Sequence, residues 1–328
     1  MGLSSRAAKI SAAVVLLAGF VYLNNASWLA PAPQGKPTVI AHRGVYQTFD
    51  RTDLGRDDCT ATRIFVPEHD YLENTLASME AAFDYGADIV EIDIHPTVDG
   101  EIAVFHDWTI DCRTEGTGVT HKQTMEYLKT LDIGYGYTFD GGETFPFRGK
   151  GVGLMPTLEE VYRKFPGRDF LINIKSNNPE DADKLVAYLR QRKLETGPRL
   201  MAYGGERPIA RLRELRPDAF LFTRASLKRC AVRYFLLGWS GYMPEDCRNG
   251  ALMVPNTWQW AIWGWPNRFI QRVEKAGSLM GVLDYRGGKT GKPGIYRTEE
   301  LGYLPEGYNG TLWVEKIEVI GPHLQSQK

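Results

Sequence analysis

The sequence predicts an α/β fold, and within that class a distorted (β/α)8 TIM barrel. Its 328 residues are 43% apolar and 24% charged, which suits two small domains or one barrel of roughly 250 residues with additions. Short runs typical of β-strands alternate with helical runs, the pattern of a parallel sheet. Charged residues also follow the ends of consecutive predicted strands, where α/β barrels place their chemistry.

Short β-type runs are the candidate strands, and there are more of them than the eight that a closed barrel takes. They cover residues 38–41, 88–94, 102–105, 170–175, 199–202, 219–223, 251–255, 279–284 and 311–315. Helical periodicity marks residues 74–85, 157–165, 181–194, 208–215 and 266–276. Only a short segment with an Asp99-Gly100 turn separates the run 102–105 from the predicted strand before it. This segment is too short for the crossover helix that joins two parallel strands. We therefore expect this run to be a hairpin arm or an irregular barrel strand.

Residues 108–156 are predicted to form a loop-rich insertion after the third strand. They are rich in glycine and aromatic residues and contain one helix-like piece, residues 124–131. A long ordered loop beside a site is often functional. The alternative is a covering subdomain with no chemical role.

The first 36 residues are predicted to be a separate N-terminal helix and linker. Arg6 and Lys9 precede the apolar run 10–23, which is shorter than the roughly 20 residues of a comfortable membrane span. The pattern fits a cleaved signal peptide or a short uncleaved anchor, and a buried N-terminal helix is the alternative. We expect export to the periplasm or another extracytoplasmic space. The protein would then be anchored in the membrane by residues 10–23 or secreted after cleavage.

Charge and cysteine content restrict the partners and the compartment. Lys and Arg number 39 and Asp and Glu 40, so the formal net charge is −1 and no nucleic-acid partner is expected. The four cysteines lack zinc-finger spacing, and an even number in an oxidising compartment indicates disulfides. Of the possible pairings we expect Cys59 with Cys112 and Cys230 with Cys247. Four free thiols are the alternative.

Chemistry-bearing residues concentrate near the ends of the first strands. Glu91, Asp93 and His95 alternate along one predicted strand and therefore share a face. Charged groups in an apolar strand are unfavourable unless they are paired or bind an ion, and carboxylates suit Mg²⁺ or Ca²⁺. His42 and His106 are candidates for a general acid and a general base. With Arg43 next to His42, the set fits phosphoryl chemistry.

The sequence resembles the glycerophosphodiester phosphodiesterases of the phospholipase-C-like barrel superfamily. The resemblance is close over about residues 38–176 and looser in the C-terminal half. It is carried by motifs in a fixed order: His42-Arg43-Gly44, Glu73-Asn74-Thr75-Leu76, Glu91-Ile92-Asp93, Thr97-Val98-Asp99-Gly100, Phe105-His106-Asp107, Arg113-Thr114, Pro156-Thr157-Leu158-Glu159-Glu160 and Ile172-Asn173-Ile174-Lys175.

The resemblance implies a barrel over residues 37–323 and a role for each matching residue. It makes His42 and His106 the acid/base pair, and it places Arg43 and Lys175 on the substrate phosphate. One divalent metal ion, Mg²⁺ or Ca²⁺, is implied. Its candidate ligands are Glu91, Asp93, Glu73 and Asn173.

Asn173 departs from the pattern of the family that the sequence resembles, which usually has Glu at this position. A neutral amide oxygen can still bind a metal ion, but one negative charge is lost. Another carboxylate could compensate, and Glu73 and Asp284 are the candidates.

The expected activity is hydrolysis of glycerophosphodiesters to sn-glycerol 3-phosphate and an alcohol. Two alternatives remain: a lysophospholipase D or phospholipase acting on membrane lipids, and a non-catalytic barrel that only binds phosphodiesters. The expected partners are thus a small glycerophosphodiester or a lysophospholipid, and a membrane through the N-terminal helix. A cluster of tryptophans fits either contact with lipid or hydrophobic packing: Trp258, Trp260, Trp263 and Trp265.

Overall fold

The structure, a computed structural model, describes residues 2–55, 58–194, 199–283 and 294–326. Asp284 therefore lies outside the described residues. The chain divides into two compact units. Among the described residues, the larger unit holds 38–223, 294–302 and 312–326, and the smaller unit holds 2–37, 224–283 and 303–311.

The larger unit is built on a parallel sheet. In sheet order, β6, β5, β4, β2, β1 and β9 are neighbours. Their bounds are β1 Thr38–His42, β2 Ile89–Pro96, β4 Asp169–Ile174, β5 Met201–Gly204, β6 Phe220–Thr223 and β9 Thr311–Val314. The short strand β3, Ile102–Val104, pairs with β2 in the antiparallel direction. The run 102–105 is thus a hairpin arm, one of the two predicted possibilities.

Two helices of this unit begin at threonines whose side chains cap them. Thr75 accepts a hydrogen bond from Ser78 N at 3.2 Å, and Thr157 accepts one from Glu160 N at 3.0 Å. Each side chain satisfies a backbone donor that has no partner within its own helix. The helices are α2 Leu76–Asp84, α3 Met125–Leu128, α4 Leu158–Lys164, α5 Glu180–Gln191, α6 Glu206–Leu215 and α9 Ile317–Ser326.

The predicted insertion packs around an apolar cluster of its own in the larger unit. The cluster contains Ile110, Leu128 and Phe147 from the insertion, and Tyr46 and Phe49 from the loop that follows β1. Its single α-helix, α3, is shorter than the predicted piece 124–131. A disulfide between Cys59 and Cys112, with Cα atoms 5.4 Å apart, joins the loop to the insertion as predicted.

Among the described residues, the smaller unit contains two parallel strands and three α-helices. Val254 of β7 lies in register with Val282 of β8. The second predicted disulfide, Cys230–Cys247, is also present and links α7 to the 3-10 turn before β7. The elements are α1 Gly2–Asn25, α7 Arg224–Leu237, β7 Ala251–Pro255, α8 Asn267–Lys275 and β8 Leu279–Leu283.

Helix α1 extends beyond the apolar run 10–23 at both ends. Of the described helices, it alone is long and apolar enough to cross a membrane, over the 20 residues Arg6–Asn25. No part of that segment is buried within the protein, so the alternative of a buried N-terminal helix is not observed. Signal sequences share these properties.

The predicted fold class is confirmed. In the part of the chain that the structure describes, eight parallel strands alternate with helices in the order of a (β/α)8 barrel, with β3 as an additional antiparallel arm and α1 as the N-terminal apolar helix. Helices α7 and α9 were not predicted from the sequence.

Candidate active site

Strand register in the larger unit brings the predicted residues into one cluster. His42 at the end of β1 is paired in register with Glu91 of β2, and Asp93 is paired with Asn173 of β4. Asn173 is in turn paired with Tyr203 at the end of β5. Because parallel strands share a direction, their carboxyl ends meet at one edge of the sheet, where barrels place reacting groups.

The turn after β1 depends on a glycine. Arg43 and Gly44 both have positive φ, 58° and 79°, a conformation that glycine adopts without penalty. A Cβ at Gly44 would lie 2.8 Å from the carbonyl oxygen of Ser78 in α2. The turn therefore brings β1 close to α2 and directs Arg43 toward β2, whose Glu91 carbonyl accepts a hydrogen bond from Arg43 N at 3.0 Å.

His42 is held by a buried carboxylate from the other end of the chain. Its Nδ1 lies 2.6 Å from Glu315 Oε2, and a carboxylate only accepts, so Nδ1 carries the proton. The other ring nitrogen, Nε2, then lies 3.8 Å from Glu91 Oε2. Tyr46 and Arg51 also donate to Glu315. Burial alone would raise the pKa of Glu315, but His42 and Arg51 hold it at about 2.

His106 has the same arrangement with a different carboxylate. Its Nδ1 lies 2.6 Å from Asp107 Oδ1, and Arg113 Nε donates to Asp107 Oδ2 at 2.8 Å. Burial and then the charge of Arg43 lower the pKa of His106, which favours the neutral ring. Burial opposes ionisation of Asp107, yet Arg113 and His106 hold its pKa below the usual value. The site therefore contains two histidine–carboxylate pairs.

Cations surround the carboxylates on β2. Arg43 Nη1 donates to Glu73 Oε1 at 2.9 Å and its Nε lies 3.4 Å from Asp93 Oδ2. Lys175 Nζ lies 3.3 Å from Asp93 Oδ1. Glu73 also contacts Arg113 Nη1 at 3.2 Å, so two guanidinium groups share its carboxylate. Arg43 and Lys175, both predicted to contact phosphate, thus lie within one cluster.

Glu91 and Asp93 form a strongly interacting buried pair. Burial, and then the charge of Asp93, raise the pKa of Glu91 to about 7. For Asp93, the effect of burial is outweighed by the positive charges of Lys175 and Arg43, which hold its pKa well below the usual value. The two carboxylates repel each other in a buried site. A divalent cation bound between such carboxylates would reduce this repulsion.

The carboxylates of Glu91 and Asp93 and the amide of Asn173 are the kinds of oxygen donor that a hard divalent cation prefers. Asn173 Nδ2 donates to Asp93 Oδ1 at 2.8 Å, so its carbonyl oxygen is the atom of this side chain that could bind a cation. Among the described residues, no group of three or more His, Cys, Asp or Glu side chains is arranged to hold a metal ion. Oxygen ligands of this kind suit Mg²⁺ or Ca²⁺.

Several residues of the cluster were not singled out by the sequence analysis. Glu315 and Tyr203 are the most important, because they contact His42 and Glu91 directly, the latter at 2.7 Å through the Tyr203 hydroxyl. Glu315 ends the predicted strand 311–315, and Tyr203 directly follows the predicted strand 199–202. This position at the end of a strand was the signal that could have indicated them. His95 shares the face of Glu91 and Asp93, as expected, and burial lowers its pKa to about 3, so it is neutral.

Comparison with known proteins gives a consistent family. The model of the Glycerophosphoryl diester phosphodiesterase family matches residues 67–253. A "Glycerophosphodiester phosphodiesterase" of Caldanaerobacter subterraneus is 35% identical over 128 residues, 38% of this chain and 49% of that protein. "Lysophospholipase D GDPD1" of Rattus norvegicus is 30% identical over 131 residues, 38% of each chain. The chain thus spans about half the length of the first relative and less than half the length of the second.

Solved structures show the same fold at low sequence identity. A phosphodiesterase of Oleispira antarctica, determined in complex with the product sn-glycerol-3-phosphate, matches with a TM-score of 0.54 at 20% identity. The match covers 90% of this chain and 96% of that chain.

Proposed function

Because this chain belongs to the glycerophosphoryl diester phosphodiesterase family, we propose that it hydrolyses glycerophosphodiesters to sn-glycerol 3-phosphate and an alcohol. The observation that carries the proposal is the pair of histidine–carboxylate couples beside Glu91 and Asp93. Each couple keeps one imidazole oriented with its Nε2 available, as proton transfer at two oxygens of a phosphodiester requires.

Proton transfer is assigned to His42 and His106. One imidazole accepts a proton from the attacking hydroxyl, either water or the 2-hydroxyl of the glycerol. The other, which begins the step as an imidazolium, donates its Nε2 proton to the oxygen of the leaving alcohol as its bond to phosphorus breaks. Attack by the 2-hydroxyl would pass through a cyclic phosphate, which water then opens. Glu315 and Asp107 stabilise the imidazolium that forms on each ring.

Arg43 and Lys175 are proposed to bind the phosphate oxygens. A guanidinium forms paired hydrogen bonds with phosphate, and an ammonium contributes a compact positive charge. Both cations already lie against Asp93, within 3.4 Å, so substrate binding exchanges a carboxylate contact for a phosphate contact. Glu73 is engaged by two arginines, which supports a role in positioning Arg43 beside its proposed role as a metal ligand.

The family generally depends on a divalent metal ion. We propose that Glu91, Asp93, Glu73 and the amide oxygen of Asn173 hold it here. When bound, the ion supplies positive charge that stabilises the phosphate oxygens.

A lysophospholipase D activity is the second candidate. It is favoured by the rat relative of that name and by an apolar N-terminal helix that would keep the protein beside its lipid substrates.

The two disulfides and this helix are consistent with export, and we propose an extracytoplasmic location. The boundaries 1–36 for the helix and linker and 37–323 for the barrel, with 108–156 as an insertion, remain our proposal.

Turnover of a substrate panel by the purified full chain tests the proposal. The panel holds glycerophosphocholine, glycerophosphoethanolamine, glycerophosphoinositol and lysophosphatidylcholine, each with EDTA, Mg²⁺ or Ca²⁺. We expect EDTA-sensitive release of glycerol 3-phosphate, lost in His42→Ala and His106→Ala and kept in His323→Ala, a control on α9. Release of choline from the lysolipid alone would identify the lipid enzyme instead. An absence of turnover with either metal would indicate a protein that only binds phosphodiesters.

A further inference from the structure

Helix α7 of the smaller unit has an apolar face that no part of the proposed chemistry explains. Only Cys230 and Tyr234 of this helix are buried. Val232, Phe235 and Leu236 are between 54% and 60% exposed, and they recur at helical spacing on one side. Soluble proteins rarely expose so many large apolar side chains together unless the surface has a partner.

The end of α1 is fixed to the residues that follow this face. Asn24 and Asn25 donate side-chain hydrogen bonds to the carbonyl of Trp239 at 3.1 Å and 2.7 Å. Arg272 of α8 donates to the Asn24 carbonyl at 2.8 Å and to Asn25 Oδ1 at 3.0 Å. The last turn of α1 is therefore held to the folded unit by four hydrogen bonds, and cleavage after Ala26 would remove them all.

Exposed tryptophans lie in segments that are hydrogen-bonded to the same region. Trp28 lies within the turn in which Leu29 N donates to the Ala26 carbonyl, and its side chain is 69% exposed. Trp263 Nε1 donates to the carbonyl of Phe235 at 2.8 Å, which ties the tryptophan-rich loop to the end of α7, and Trp260 of that loop is 86% exposed. We call this set the apolar face: Trp28, Val232, Phe235, Leu236, Trp239, Trp258 and Trp260.

The dimensions of α1 indicate what covers the apolar face. Its segment Arg6–Asn25 has 20 residues, and a helix of that length spans about 30 Å, the thickness of the hydrocarbon core of a bilayer. If α1 crosses the bilayer, Asn25 lies at its surface, and so does the Trp239 backbone bonded to it. Tryptophan is the residue that membrane interfaces favour.

We propose that α1 is retained as a membrane anchor and that the apolar face rests on the lipid surface from which α1 emerges. The anchor and the face act as one unit, because the hydrogen bonds of Asn24, Asn25 and Arg272 prevent α1 from swinging away from α7. This inference goes beyond the proposed hydrolysis and does not depend on it. A lipid surface also accounts for a face that contains four tryptophans, whose indoles combine an apolar ring with an N–H donor.

Retention of α1 is tested by the intact mass of the protein. The full chain is expressed with its own N-terminus in a bacterial host, and the membrane fraction is analysed by mass spectrometry. We expect the mass of the chain with α1 present. A mass that begins at Ser27 would overturn the proposal.

Contact of the apolar face with lipid is tested by quenching of tryptophan fluorescence. The full chain is reconstituted into phosphatidylethanolamine–phosphatidylglycerol vesicles that contain lipids brominated near the carbonyl end or near the methyl end of the acyl chain. We expect strong quenching, greater with bromine near the carbonyl end, and loss of most of it in Leu236→Glu. Because α1 keeps the wild type and Leu236→Glu on the vesicle, both should float with it equally. A difference in quenching then reports contact of the apolar face with lipid.

Leu154→Glu is the matched control, since Leu154 is an exposed leucine of the larger unit, at 45%. It should quench as the wild type does. Equal quenching in Leu236→Glu and the wild type would contradict the proposal. An absence of quenching in the wild type would also contradict the proposal. If the wild-type protein were in addition dimeric in detergent, the apolar face would be interpreted as an interface with a second copy of this chain. Phe235→Ser provides a second variant if Leu236→Glu does not fold.

Discussion

At the scale of single residues, Glu315 determines how His42 can act. It is fully buried, and its carboxylate fixes the proton on Nδ1. Replacing it with Gln keeps the shape but removes the charge that stabilises an imidazolium. We expect Glu315→Gln to lower kcat by on the order of 10²-fold or more with little change in KM, as seen when such a carboxylate is neutralised.

Glu318→Gln is the matched control for that measurement. Glu318 is a largely buried carboxylate of α9 that lies 4.0 Å from His69 and has no contact with His42. Steady-state kinetics on glycerophosphocholine should leave this variant at wild-type rates. Equal rates for the Glu315 and Glu318 variants would show that the contact with His42 has no catalytic role.

Glu315 also predicts a pH dependence of stability. Its pKa is about 2 in the folded protein against an ordinary 4.5, so its contribution is complete above pH 4.5 and is lost as the pH falls toward 2. The shift corresponds to about 3 kcal/mol at pH 7 and about half of that at pH 3. Urea unfolding should therefore show the difference between wild type and Glu315→Gln narrowing between these pH values. A constant difference would contradict the assignment.

Asn173 sets the charge of the proposed metal site. It is hydrogen-bonded to Asp93, so a carboxylate at this position would add negative charge next to that of Glu91 and Asp93. We expect Asn173→Glu to bind Mg²⁺ about tenfold more tightly, since ligand charge tunes affinity. Isothermal titration calorimetry measures this directly. Asn178→Glu, which adds the same charge at an exposed position, should not change the affinity; an equal gain there would point to a nonspecific effect.

At the scale of elements, the packing of α9 on α2 depends on Gly321. A Cβ at this position would lie 1.8 Å from the carbonyl oxygen of Tyr85, the residue that ends α2. Alanine is normally better than glycine in a helix by up to about 1 kcal/mol. Here the clash with backbone outweighs that preference, and we expect Gly321→Ala to destabilise the protein by about 2 kcal/mol or more.

Thermal unfolding compares this variant with Gly302→Ala. A Cβ at Gly302 meets nothing within 4 Å, so this substitution should change the melting temperature little. A Gly321→Ala protein as stable as the wild type would mean that α9 can move away from α2. Gly321 and Pro322 also explain why the sequence did not indicate α9, because both residues are unfavourable inside helices.

At the scale of the whole molecule, the order of strands and helices was predictable because buried strands are short apolar runs. The closeness of His42, Glu91 and Asp93 followed from strand alternation and from the carboxyl-end rule. The pairing of His42 with Glu315 was not predictable, since 273 positions separate them and only the register of the sheet brings them together. Helix α7 was missed because Val232, Phe235 and Leu236 are exposed among its charged residues, which weakens the amphipathic signal.

In the proposed reaction, His42 and His106 divide the two proton transfers of phosphodiester hydrolysis. The most direct measurement compares His42→Ala and His106→Ala on glycerophosphocholine and on the p-nitrophenyl ester of glycerol 3-phosphate. Because nitrophenolate leaves without a proton, the variant that lacks the acid should recover turnover on the ester, while the variant that lacks the base should not. Both should be impaired by on the order of 10²-fold or more on glycerophosphocholine. Wild-type turnover of glycerophosphocholine by either variant, or equal recovery of both on the ester, would contradict the claim.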